Sequence, residues 1–135
     1  MTPDPTLLLR ALKLNALFSG LSALGLFIAG SWLAAQFALE RATPVYAVGG
    51  GLAVFAVQLV NIVRTKRVRP WEVTGIIVGD IAWVVASAVL LGLFYRTITP
   101  AAVMLVDLVA VVVLFFAVMQ IRGLQQYRKL TQHYG

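Results

Sequence analysis

The chain has 135 residues and a formal net charge of +6. Hydrophobic residues make up 61% and charged residues 12%, against about 45–50% and about 25% in globular chains, and the mean hydropathy is +0.91. This balance excludes disordered, collagenous and water-soluble globular classes. The absence of Cys excludes disulfide scaffolds, thiolate metal sites and cysteine nucleophiles.

A single His, His133, cannot build a multi-histidine metal or haem site, so neither metal nor cofactor is expected. At the N-terminal end, Asp4-Pro5 reads as a helix N-cap followed by a first-turn proline. A membrane-spanning helix needs about 20 mostly apolar residues, and four such runs follow in order. The first is expected from about Lys13 to Leu39 and the second from about Pro44 to Val63. The third is expected from about Trp71 to Tyr95 and the fourth from about Pro100 to Ile121. Pro44, Pro70 and Pro100 stand at span starts, where a missing N–H costs nothing. The runs are continuous rather than alternating, which favours helices over barrel strands. The first run is far longer than the roughly 7–15 apolar residues of a cleavable signal, so it is expected to be retained. Residues 122–135 read as a basic amphipathic tail lying at the membrane interface. The expected fold is therefore a single all-α domain, a four-transmembrane-helix bundle.

Lysines and arginines divide unevenly between the span ends. Nine (Arg10, Lys13, Arg64, Lys66, Arg67, Arg69, Arg122, Arg128, Lys129) fall on one side and two (Arg41, Arg96) on the other. The positive-inside rule then places both termini in the cytoplasm of a cell whose plasma (inner) membrane holds the chain. The same bias accounts for the charge of +6 without a nucleic-acid partner, since R-T-K-R-V-R lies in a short loop with no aromatic interleaving. The lipid bilayer is the expected partner, together with a homo-oligomeric copy or another membrane protein.

The polar residues inside the spans are the informative ones. Asp80 lies about 13 Å along the third span and Asp107 about 10 Å into the fourth from the other side. The two differ in depth by about 10 Å, so no shared-proton pair is expected. A charged Asp at mid-helix costs about 2.5–3.5 kcal/mol on insertion scales, and no Lys or Arg lies at those depths. Asn15, Ser19 and Ser22 share one face of the first span. Asn61, Gln58, Val54, Gly51 and Ala47 share one face of the second, polar at the cytoplasmic end and small further in. Asp80, Trp83 and Ser87 share a face of the third. The simplest way to satisfy Asn15, Gln58, Asn61 and Asp80 together is one buried cluster in the cytoplasmic half. Gln120 falls on a different face of its span. Asp107 stands apart, within snorkelling reach of Arg41 or Arg96, and the Trp83 indole N–H looks to Asp80 or Ser87 for an acceptor.

These residues support two readings: a binding or ion site, or interhelical hydrogen bonds that hold the bundle together. No G-x-S-x-G, phosphate loop or H-E-x-x-H is present, so an enzyme is not expected. The expected function is a partner- or lipid-binding membrane module. The alternative is a proton- or cation-coupled transporter or channel working as a homo-oligomer, with Asp80 as its coupling group. Asn15-x-x-Phe18-x-x-x-Ser22-Ala23 echoes Asp80-x-x-Trp83-x-x-x-Ser87-Ala88, the pattern of a parallel repeat of two hairpins.

Three stretches carry a family resemblance: N-A-L-F-S-G-L-S at Asn15–Ser22, D-I-A-W-V-V-A-S at Asp80–Ser87 and V-M-Q-I-R-G-L at Val118–Leu124. With these the chain resembles a loosely defined set of uncharacterised bacterial four-span membrane proteins, which implies a layout but no activity. Its size is also similar to that of small multidrug-resistance transporters, but their first-span glutamate has no counterpart here.

Overall fold

The computed structural model describes residues 6–134, with side chains through residue 132. The Asp4-Pro5 cap and the His133 side chain lie outside the described residues. Every regular element among them is helical: α1 (Thr6–Ile28), α2 (Gly30–Gln36), α3 (Thr43–Thr65), α4 (Pro70–Phe94) and α5 (Pro100–Tyr134). All but α2 are long and apolar enough to cross a membrane. The protein is therefore an all-α membrane protein with four spanning helices.

The first span is not one rod. It bends at Ala29, which leaves the helical region (φ −103°, ψ 19°), although Ala29 N–H still bonds Gly25 O at 2.8 Å and Leu33 N–H bonds Ala29 O at 2.9 Å. A Gly-Ser pair follows, a sequence where helices kink. Gly30 is pressed against Tyr46 of α3, and a Cβ at Gly30 would overlap the Tyr46 ring. After α2 the chain turns through Ala38 at φ 55°, with Leu39 N–H bonded to Ala34 O at 2.8 Å. This is a Schellman-type stop made without glycine.

The tail also departs from expectation. Residues beyond Ile121 continue α5 without a break, so α5 runs for about 50 Å, well past a hydrocarbon core of about 30 Å. It does not form a separate helix lying flat on the interface. Leu124 is buried and Tyr127 packs beside it against the start of α1.

Helix α1 sits between α3 and α5, and α4 packs on α5. The helices thus form two hairpins, α1–α3 and α4–α5, joined chiefly along α1 and α5. Helices α3 and α4 touch only through side chains, so the hairpins do not pack with the symmetry that an exact repeat would give. The joint is tightest near Thr6. Leu8, Leu12, Leu59, Ile62, Val73, Ile76 and Leu124 form one buried cluster there, at the end that carries the nine basic residues. Gly123 allows the closest approach: a Cβ at that position would stand 2.8 Å from Leu8 Cα.

We expect Gly123→Ala to cost about 1–3 kcal/mol by overpacking against backbone that cannot yield. Gly75→Ala, where an added Cβ meets nothing within 4 Å, should be neutral or stabilising by up to about 1 kcal/mol. Unfolding in mixed micelles of the two variants compares them directly.

Candidate functional site

Two features stand between the hairpins: a buried polar network toward the basic end, and an apolar cavity toward the opposite end.

The network joins three helices. Asn15 of α1 uses both hydrogens of Nδ2, one to Asp80 Oδ2 of α4 at 2.9 Å and one to Gln120 Oε1 of α5 at 2.8 Å. Gln120 Nε2 closes the triangle by donating to the same Asp80 Oδ2 at 2.8 Å. Ser19, one turn along α1, donates from Oγ to Asn15 Oδ1 at 3.1 Å and fixes the amide orientation. Asp80 is 4% exposed, Asn15 1% and Gln120 0%. Asp80 is the one acid buried in the bundle among the described residues. Its Oδ2 accepts two N–H groups, and its Oδ1 has no hydrogen-bond partner among those residues. Chemically this is a carboxyl caged by amide donors, able to hold or release a proton without any ion pair.

The expected cluster of four is corrected by this arrangement. Asn15 and Asp80 do meet. Gln58 and Asn61 are exposed on the outer face of α3, away from both. Their place is taken by Gln120, which α5 presents because it wedges between α1 and α4. The sequence signal was there, since V-M-Q-I-R-G-L places an amide in an apolar run, but the face it occupies depends on which helix packs beside it.

The other predicted residues scatter. Ser87 is buried, and its Oγ donates to Trp83 O at 2.8 Å within the same helix. Trp83 finds no acceptor in Asp80 or Ser87. Its Nε1 is the one fully buried side-chain nitrogen or oxygen without a partner among the described residues. Asp107 is exposed on α5 and makes no ion pair there with Arg41 or Arg96. Arg96 instead donates from Nε to Tyr95 Oη at 2.9 Å and lies 5.5 Å from that ring's centre. Among the described residues, no three His, Cys, Asp or Glu side chains gather where they could hold a metal ion.

The cavity has a volume of about 630 Å³. Leu33, Val45 and Leu52 line it from the first hairpin, and Trp83, Leu90 and Val106 from the second. Its polar lining is confined to Trp83, Ser87 and Thr97. A second link between hairpins stands near its far end, and sequence reasoning missed it. Thr99 Oγ1 donates to Gln36 Oε1 at 2.8 Å, and Thr99 N–H donates to Gln36 O at 3.1 Å. The same Thr99 Oγ1 caps α5 by accepting Ala102 N–H at 3.2 Å. The hairpins are thus tied at two levels, with the cavity opening between them on the side away from the α1–α5 contact.

The chain matches no known family model, no curated protein and no solved structure.

Removing the amide at Asn15 should show what the network contributes. Asn15→Leu leaves Asp80 and Gln120 short of donors in a dry site, so we expect a loss of about 2–3 kcal/mol. Ser19→Ala breaks one neutral bond and should cost about 1 kcal/mol. Reversible unfolding in micelles measures both.

Proposed function

We propose that this protein is a non-enzymatic membrane module that holds a lipid-like molecule between its two hairpins. The observation that carries this reading is the cavity of about 630 Å³, within the range of roughly 300–1,000 Å³ typical of small-molecule sites. Its walls are chiefly aliphatic and aromatic, so water gains too few partners to occupy it, whereas an acyl or isoprenoid chain matches it in polarity. The network at Asn15, Asp80 and Gln120 supports the reading as the joint that holds the hairpins at a fixed separation. The basic end belongs on the cytoplasmic side by the positive-inside rule. That bias, with the resemblance of the Asn15–Ser22 and Asp80–Ser87 stretches, supports a bacterial plasma membrane as the setting.

Native mass spectrometry of the gently extracted protein tests this. We expect the wild type to retain an apolar-chain lipid and Leu90→Trp, which narrows the cavity at one wall, to retain severalfold less. Equal retention by both would place the lipid elsewhere and remove the reading.

Asp80 favours a second reading, proton- or cation-coupled transport, because its carboxyl is embedded with Oδ1 unpartnered. In proteoliposomes, a coupling role predicts at least tenfold lower flux in Asp80→Asn than in wild type. Equal flux would assign Asp80 to the joint alone.

A further inference from the structure

Helix α3 is one edge of the bundle, and it carries two seams. Val45, Gly49, Ala56 and Leu59 are buried along the side that faces α1. Ala47, Gly51, Val54, Gln58 and Asn61 run along the other side; all but Val54 lie two residues on from a position of the first seam, and so about 200° round the helix. All five are exposed.

The outer seam repeats with spacings of four, three, four and three residues. That is a 3.5-residue period over two heptads, the pattern of a helix that packs left-handed against another helix. Gln58 occupies one knob position. It lies about 10 Å inside the end of α3, where hydrocarbon offers no hydrogen bonds, and it has no partner among the described residues. Further along, nothing lies within 4 Å of a Cβ added at Gly50 or Gly51, so a second backbone can come close there.

We propose that the Ala47–Asn61 seam of α3 packs against the same seam of a second copy of this chain, about a two-fold axis normal to the membrane. An amide is self-complementary: it both donates and accepts, so two Gln58 side chains at one depth satisfy each other. Threading decides against a contact between Gln58 and Asp107, a second polar group exposed on a span. Asp107 lies about 10 Å in from the opposite end, and the basic bias threads every copy the same way. Gln58 and Asp107 of two copies therefore stay more than about 10 Å apart in depth. Asp107 lies on α5 and is no part of the α3 seam. The two-fold amide contact remains, and polar knobs in such a seam also set register and copy number. This dimer is independent of what fills the cavity between the hairpins.

The chain has no Cys, so single-cysteine variants report cleanly. In native membranes under mild oxidation, Val54→Cys should give a disulfide-linked dimer. Val89→Cys on α4 and Val111→Cys on α5, both exposed, should not. Adding Gln58→Leu to Val54→Cys should weaken association roughly three- to thirtyfold, read by single-molecule copy counting in bilayers. Gln58 makes no hydrogen bond within one copy, so in micelles dilute enough to keep both proteins monomeric the variant should unfold at the wild-type point. A Val54→Cys chain that stays monomeric, or is captured by a different protein, overturns the proposal. So does cross-linking through Val111→Cys instead, or association that Gln58→Leu leaves unchanged.

Discussion

The bundle depends on satisfying one buried carboxyl without a counter-ion. In water, apolar burial would drive the hairpins together. In a bilayer that force is absent between helices, because lipid tails are as apolar as leucine. Close packing and hydrogen bonds must do the joining. Asp80 accepts from Asn15 and Gln120, and Asn15 bonds Gln120, so one triangle links α1, α4 and α5. It also links α4 directly to α1, with which α4 shares no backbone-level contact. Interhelical bonds of this kind contribute about 0.6–2 kcal/mol each, and three of them converge here.

The rest of the architecture follows from where that joint sits. Toward the basic end, Gly123 lets α5 close on α1, and aliphatic side chains from four helices fill the space. Away from it, α3 and α4 have no such contact, and the chain instead bends at Ala29 and ties Gln36 to Thr99. Two ties with an unfilled interval between them leave a cavity lined by both hairpins. In a hydrocarbon solvent this does not carry the hydration cost of an apolar void in a soluble core, because lipid chains can occupy it. The same solvent makes the exposed amide of Gln58 conspicuous, since a polar group on a lipid-facing surface has no water to bond.

Much of this was legible in the residues. Span number, span starts at Pro44, Pro70 and Pro100, and the gathering of basic residues at one end all follow from local composition. Asn15 and Asp80 were identifiable because an amide and an acid in apolar runs demand partners. Gln120 was visible as a polar residue but misplaced, and Gln58 and Asn61 were assigned to a cluster they do not join. In each case the helical face was read correctly, but which neighbour it meets was not. Gln36 and Thr99 gave no signal beyond lying near the span ends.

The sequence by itself determined that this protein lives in a membrane, crosses it four times and carries carboxyls within its spans at Asp80 and Asp107. Those properties depend on transfer energy and helical period, which are sums over neighbouring residues. The tertiary structure decided that Gln120 completes the Asp80 site, that Trp83 is left without an acceptor and that α3 turns its amides outward. It also decided that the hairpins part to form a cavity. These outcomes depend on helix order and crossing, set by a few contacts such as Gly123 on Leu8 and Gly30 on Tyr46, whose partners lie far apart in the chain.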